Sequence, residues 1–268
     1  SRFRLADGAE CTLEANPVDL TSDRIEAFLN AGVNRISLGV QSFDAQMLSI
    51  LERDHSAETI SDGMDRLRGK INNVSLDLIF GVPGQSRELW TRTLEQALEL
   101  QPTHISTYGL TFEKGTAFWN RREQGTLAQV SDELERELYA LTIERVTESG
   151  FEHYEISSFA KQGLRSRHNQ IYWTGAAYHA FGPGASRYLF GVRETNHRSV
   201  TTWLNKVLDG KPGVMESERL SDEDRARESL ILGLRRIEGI DIAVFERETG
   251  YALDELAEAE IELAVQRE

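Results

Sequence analysis

Cysteine is almost absent from this sequence, since Cys11 is the single one among 268 residues. One cysteine excludes a disulfide within the chain and any zinc site built only from cysteines, and it makes a reducing cytoplasm the expected compartment. An iron–sulfur cluster generally takes three or four thiolate ligands. We therefore expect that this chain by itself holds no such cluster.

Basic residues and long apolar runs are also scarce. The chain has 30 Lys and Arg against 44 Asp and Glu, a formal net charge of −14. Such a charge repels phosphate backbones and anionic lipid, so nucleic acid is not an expected partner. No run of about 18 apolar residues occurs, and this excludes an integral membrane protein. The 40% hydrophobic content is that of a soluble globular protein.

The two ends of the sequence lack the usual signals. The first methionine is Met47, and the polar start at Ser1 has no signal-peptide pattern. The last residues, 253–267, follow a helical pattern with no closing glycine. We expect the chain to be a fragment that is missing both ends.

Short β-rich segments at 10–14, 35–40, 75–81 and 104–111 alternate with amphipathic helical patterns. This alternation predicts βαβ units and a parallel sheet. The third segment is apolar on both faces apart from Asp77, as expected for a strand of a (β/α) barrel. In such barrels the chemistry lies at the carboxyl ends of the strands, which makes polar residues there candidate site residues.

The pattern changes after Thr111. A helix is predicted over 131–149, and a capping box from Ser221 to Asp224 opens another. Residues 214–268 hold 16 acids and 7 bases, which indicates an acidic helical subdomain with a solvated face. We therefore divide the chain into a partial barrel at 1–115, a ligand-facing region at 116–213 and the acidic subdomain at 214–268.

A basic segment, residues 161–198, interrupts the acidic background with six bases, one acid and three of the six histidines. Its cations and aromatic residues suit a compact anionic ligand with an apolar body. The alternative is a basic face that docks on the acidic subdomain.

Five runs in the sequence point to a family. Together, and in this order, they resemble the oxygen-independent coproporphyrinogen III oxidase-like family of radical SAM proteins, which includes heme chaperones as well as oxidases. The runs are Glu-Ala-Asn-Pro at 14–17, Ser-Leu-Gly-Val-Gln-Ser-Phe at 37–43, Leu-Asp-Leu-Ile-Phe-Gly-Val-Pro-Gly-Gln at 76–85, His-Asn-Gln-Ile-Tyr-Trp at 168–173 and Phe-Gly-Pro-Gly-Ala-Ser-Arg at 181–187.

The resemblance implies an α/β fold, a partial radical SAM (β/α) barrel followed by a mainly helical C-terminal subdomain of the HemN type. It also implies S-adenosylmethionine (SAM) and a [4Fe-4S] cluster as cofactors of the complete protein. The family's Cys-x3-Cys-x2-Cys loop lies before the point where this chain starts, so we expect the chain to be inactive alone. Cys11 is one thiolate on a predicted strand, and we interpret it as a small buried hydrophobic residue.

By resemblance, four residues match the SAM-contacting positions: Glu14, Gln41, Arg53 and Asp77, with Thr111 and Tyr188 as weaker matches. Carboxylates suit the ammonium and ribose hydroxyls of SAM, and a guanidinium suits its carboxylate. The alternatives are a helix-end cation for Arg53 and a turn residue for Gln41. Asp77 is harder to interpret as structural, because an unpaired buried carboxylate is costly.

His168 is the candidate axial ligand of heme iron, with Tyr172 and Trp173 as walls for the macrocycle. The alternative is a surface or hydrogen-bonded histidine. The resemblance favours a chaperone that gives heme to acceptor proteins, because the oxidases proper differ at 168–173. The other hypotheses are a coproporphyrinogen III oxidase, which decarboxylates propionates by radical chemistry, and an inert piece with an uncapped barrel edge.

Overall fold

The computed structural model describes residues 5–266. It divides into two compact units, of which the first ends at Ser166 and the second begins at Arg167. The division of the sequence after residues 115 and 213 stays a prediction about functional regions.

The first unit is built on a six-stranded sheet in the order β1-β2-β3-β4-β6-β5. The first four strands are parallel, and β6 runs antiparallel to both β4 and β5. This confirms the α/β class with a parallel sheet. The strands are β1 (Thr12–Ala15), β2 (Arg35–Gln41), β3 (Asn73–Phe80), β4 (His104–Gly109), β5 (Glu152–Glu155) and β6 (Ser158–Ala160).

Six helices accompany this sheet, and side-chain oxygens cap their first turns. Ser56, Ser86 and Ser131 each accept a hydrogen bond from the backbone N–H three residues later, at the starts of α3, α4 and α6. Such caps satisfy N–H groups that have no partner inside the helix. The helices are α1 (Ser22–Asn30), α2 (Ala45–Ile50), α3 (Ala57–Leu67), α4 (Arg87–Glu99), α5 (Ala117–Glu123) and α6 (Asp132–Glu148).

The two faces of the sheet differ in polarity. Leu38, Leu76 and Ile105 lie on the face that packs into the core with helix residues such as Trp90 and Leu138, all fully buried. Because side chains alternate along a strand, their sequence neighbours lie on the opposite face. That face carries Ser, His, Asp and Glu side chains, so the expectation of strands apolar on both faces is wrong.

The second unit combines helices with a three-stranded antiparallel sheet in the order β7-β8-β9. The sequence pattern did not predict these strands, but the helical C-terminal region that it did predict is confirmed. No helix within residues 5–266 is long and apolar enough to cross a bilayer. The elements are α7 (Arg167–Trp173), β7 (Ser186–Leu189), β8 (Val192–Asn196), α8 (Val200–Leu208), β9 (Val214–Arg219), α9 (Asp222–Gly233), α10 (Ile242–Thr249) and α11 (Leu253–Val265).

Candidate functional site

Asp77 lies at the centre of the polar face, where serines of the sheet surround it. Ser37 of β2 donates to both carboxylate oxygens, at 3.1 Å to Oδ1 and 2.8 Å to Oδ2. Ser75 donates to Oδ1 at 3.2 Å, and Ser106 of β4 is the register partner of Asp77. Burial raises the pKa of Asp77 above its ordinary value, while these serine hydroxyls act in the opposite direction. A partly buried carboxylate held in this way is oriented for an incoming cation.

Glu14 shares this face with Asp77. It is the register partner of Ser37, which itself bonds Asp77, and its side chain is exposed. The pKa of Tyr108 on β4 is raised, by burial first, then by the charge of Asp77 and also by that of Glu14. Two carboxylates that lie 63 positions apart in the chain therefore act on the same phenol.

Gln41 ends β2 in a strained conformation. Its φ of 63° lies in the left-handed region, and the register with β3 shifts between Gly39 and Gln41. A Cβ on Gly39 would lie 3.0 Å from Nε2 of Gln41, so the glycine leaves room for that side chain. Strained non-glycine residues and bulges concentrate at functional sites, which favours a ligand role over an ordinary turn.

Arg53 follows α2 in a Schellman motif, in which Glu52 adopts φ 55° and the Arg53 N–H donates to Leu48 O at 2.9 Å. Two residues later, buried His55 bonds Val40 O at 2.9 Å through Nε2. This bond ties the segment to the carboxyl end of β2. The exposed Arg53 is thus held beside the strand end that carries Gln41, and its role as a SAM ligand stays a prediction.

The two weaker candidates lie on other elements than the first three, and their role as SAM ligands stays a prediction. Thr111 is exposed, two residues beyond the end of β4. Tyr188 lies on β7 in the second unit and lines a cavity of about 380 Å³ with Arg225 and Glu228.

Sequence reasoning missed the buried groups beneath Asp77. Arg35, His104 and Glu155 are each at most 3% exposed, and His104 bonds both Ser75 and Tyr154. Burial lowers the pKa of His104 to about 3, and the charge of Arg35 contributes. The polar residues at every second position of β4 could have revealed this face, because strand side chains alternate.

The donor set of this face fits SAM. Carboxylates, a side-chain amide and a guanidinium lie on or beside the carboxyl ends of β1, β2 and β3, and Gly39 supplies space for close approach. The chain does not fit a [4Fe-4S] cluster. Cys11 is partly exposed just before β1, rather than buried on the strand as expected, and residues 5–266 contain no His, Cys, Asp and Glu group able to hold a metal ion.

In the second unit, His168 is exposed at the start of α7. Tyr172 lies one turn later, with its hydroxyl 3.1 Å from Nε2 of His168 and its ring edge-on at a centroid distance of 4.9 Å. The aromatic series continues through Tyr178, at 4.7 Å from Tyr172, to Tyr188, at 6.4 Å from Tyr178. The rings meet edge to face or tilted, with interplanar angles of 85°, 75° and 38° along the series. An exposed imidazole beside these rings offers an iron ligand and aromatic contact surface for heme.

Trp173 is placed differently from Tyr172. It is partly buried, the guanidinium of Arg235 lies 4.2 Å from its ring centroid, and it lines a cavity of about 360 Å³. This cation already covers one ring face, so Trp173 offers less wall than the sequence suggested.

The basic segment is not a free cationic surface. Arg165 bonds Glu152 at 3.1 and 2.5 Å, and Arg187 pairs with Glu194. Arg193 binds both carboxylate oxygens of Glu228 on α9, at 2.7 and 2.8 Å. The last pair matches the alternative in which basic residues dock on the acidic subdomain.

The chain is similar to proteins of known families. Residues 2–97 match the radical SAM superfamily, and residues 220–268 match the HemN C-terminal domain. "Heme chaperone HemW" of Bacillus subtilis (strain 168) is 34% identical over 252 residues, which cover 94% of this chain and 66% of that protein. "Radical S-adenosyl methionine domain-containing protein 1, mitochondrial" of Danio rerio is 39% identical over 248 residues. The matched region covers 88% of this chain and 55% of that protein.

Coproporphyrinogen III oxidase (HemN) from Escherichia coli, described as a radical SAM enzyme, has a similar fold. Its structure matches with a TM-score of 0.80 at 20% identity, over 97% of this chain and 63% of that one. The chain spans just under two thirds of the length of the first bacterial relatives, 66% and 65%. It belongs to the radical SAM superfamily, among the proteins related to heme chaperone HemW and coproporphyrinogen III oxidase HemN.

Proposed function

We propose that this chain forms the larger part of a heme chaperone, which binds heme at His168 and passes it to acceptor proteins. The observation that carries the proposal is the exposed His168 imidazole, held edge-on against Tyr172 at the start of an aromatic series. Relatives named heme chaperone HemW support it. We place this activity in the cytoplasm, because a chain with one cysteine suits a reducing compartment.

Within this proposal, His168 ligates the iron and the rings of Tyr172 and Tyr178 cover one face of the macrocycle. In the structure the Tyr172 hydroxyl bonds Nε2 of His168. Iron ligation through Nε2 requires this hydrogen bond to break, so it competes with heme. A neutral hydrogen bond is worth about 0.5–1.5 kcal/mol, which sets the size of that competition.

Asp77, Glu14, Gln41 and Arg53 are the proposed SAM ligands. The carboxylates accept from the ammonium or the ribose hydroxyls, and Arg53 pairs with the carboxylate. SAM bound by these residues would supply a sulfonium group with a cleavable C–S bond. The protein residues bind and orient it, and Asp77 is held for this by its serine donors.

Heme titration of this chain, followed at the Soret band, tests the proposal. His168→Ala should shift the band and weaken binding, because the iron loses its imidazole ligand. Tyr172→Phe should tighten binding by about 2- to 10-fold, as expected from loss of the competing hydrogen bond. His179→Ala, at another exposed histidine of the basic segment, is the matched control and should change neither quantity.

If His168→Ala leaves both the spectrum and the affinity unchanged, the ligand lies elsewhere, with His179 and His197 the next candidates. Coproporphyrinogen decarboxylation by a chain that includes the cluster loop would support the oxidase hypothesis. Heme binding without decarboxylation would support the chaperone.

A further inference from the structure

We propose that a buried hydrogen-bonded series from Asp77 through Ser75, His104 and Tyr154 to the backbone N–H of Ser166 links the polar face to the residue that directly precedes α7. Asp77, at one end, is a proposed SAM ligand, and the proposed heme ligand His168 follows the other end, Ser166, by two residues. In naming these ligands the inference rests on the proposed function. His104 and Tyr154 are then positioning residues, which act through their neighbours and contact no ligand.

Every link of the series is present in the structure. Ser75 Oγ lies 3.2 Å from Asp77 Oδ1 and 2.8 Å from His104 Nδ1. On the other side of the imidazole, Nε2 lies 2.8 Å from the Tyr154 hydroxyl. Tyr154 in turn accepts from the Ser166 N–H at 3.3 Å. Ser75, His104, Tyr154 and Ser166 are all buried, at 0–2% exposure, so water does not substitute for these bonds.

The carboxylate of Asp77 and the N–H of Ser166, at the two ends of the series, determine which group donates and which accepts in each hydrogen bond between them. An ionised carboxylate can only accept, so Ser75 donates to Asp77 and must accept from His104 Nδ1–H. Nε2 of a neutral imidazole is then an acceptor, and it takes the Tyr154 O–H. The low pKa of His104, caused by burial, keeps the imidazole neutral over the whole physiological range. While Asp77 is ionised, the structure thus assigns the proton of His104 to Nδ1.

The same series has a second arrangement. When Asp77 is protonated or replaced by an amide, Ser75 is released to donate to Nδ1, and the imidazole proton moves to Nε2. Tyr154 then accepts from Nε2–H and from Ser166 together, and its own O–H, released from Nε2, donates to the adjacent Ser158 hydroxyl. Two discrete arrangements of one network are what coupling between distant sites requires. The charge at Asp77 therefore changes the bond that holds the Ser166 amide.

Arg35 and Glu155 are the other charged groups at this network. Arg35 is 3% exposed, and its charge lowers the pKa of both Asp77 and His104. Glu155 is 1% exposed and raises the pKa of Tyr154, which burial raises to about 12. Tyr154 therefore keeps its proton as a donor at neutral pH.

NMR on the chain labelled with ¹⁵N tests the inference without heme or SAM. Long-range ¹H–¹⁵N correlation reads the His104 tautomer, and hydrogen exchange reads the Ser166 amide. We expect Nδ1–H in the unmodified chain and at least a threefold change in Ser166 exchange in Asp77→Asn. In Tyr154→Phe, the Ser166 amide should exchange faster, and adding Asp77→Asn should then change nothing further.

Asp62→Asn is the matched control, because it makes the same chemical change at an exposed carboxylate of α3 that lies outside the series. It should leave Ser166 exchange unchanged. If Tyr154→Phe does not fold, Ser75→Ala interrupts the series two residues nearer to Asp77 along the network and serves in its place.

A proton on Nε2 of His104 in the unmodified chain would overturn the inference, as would a Ser166 exchange rate insensitive to Asp77→Asn or an effect that survives Tyr154→Phe. The heme titration reports on the proposed function separately. If the heme titration shows no role for His168 while the NMR results are as expected, the proposed heme site is wrong. The link between Asp77 and Ser166 then still stands.

Discussion

The buried neutral histidine makes the first unit sensitive to mild acid. In the unfolded chain His104 binds a proton below about pH 6.5, its ordinary pKa. In the folded chain burial lowers the pKa of His104 to about 3. Between these values the unfolded state binds one proton more, so the free energy of unfolding falls as the pH falls from 6.5 toward 3.

The slope follows from linkage. One excess proton in the unfolded state changes stability by about 1.4 kcal/mol per pH unit, so the window from 6.5 to 3 accounts for about 5 kcal/mol at most. Asp77 acts in the opposite direction. Its raised pKa means that the folded state binds its proton first, which stabilises the fold as the pH falls toward the Asp77 range. The slope of His104 therefore sets in as the pH falls below about 6.5, and Asp77 opposes it in the range where its carboxyl binds a proton.

Urea unfolding at several pH values between 4.5 and 7.5 measures this slope. His104→Gln should lower stability at pH 7 but flatten the pH dependence near pH 6, because glutamine does not titrate. The same change at His179, whose side chain is exposed, is the control and should keep the slope of the unmodified chain. An equal slope in His104→Gln and in the unmodified chain would refute the reasoning.

Three further predictions concern the cofactor residues. Anaerobic reconstitution should yield no cluster on this chain, because Cys11 is its single cysteine; iron and sulfide analysis showing about four irons per chain, the content of a cubane cluster, would contradict this. In a chain extended by the family's cysteine loop, Asp77→Ala should weaken SAM binding about tenfold or more, since a hydrogen bond to a charged group contributes about 1.5–3 kcal/mol; unchanged affinity in calorimetry would return Asp77 to a structural role. Gln41→Gly should raise the free energy of unfolding by about 1 kcal/mol, because φ 63° is strained for glutamine and not for glycine; thermal unfolding that shows a loss would mean that the side chain stabilises the bulge.

The sequence by itself determined the order and type of the main elements in the first unit. The alternation of apolar and polar residues with a period of 2 or 3.6 is a local property of the sequence. The residues that cap helices are also local signals, and Ser56 and Ser86 are examples at the starts of α3 and α4. Asp77 stood out for the same local reason, as one acid in an apolar strand. The family could also be recognised from the sequence, because its motifs are short and contiguous.

Tertiary structure alone decided which polar groups meet. Strand register places Glu14 opposite Ser37, and Ser37 reaches Asp77, although these residues are far apart in sequence. His104 and Tyr154 join the network from a parallel strand and an antiparallel one. The sequence likewise did not show which carboxylates the arginines pair with. Arg193 was expected to be available for an anionic ligand, and in the structure it pairs with Glu228. The hydrophobic pattern of a sequence gives the period of one segment at a time. Which side chains pair and which are buried depends on how different segments pack together, and the pattern does not contain that information.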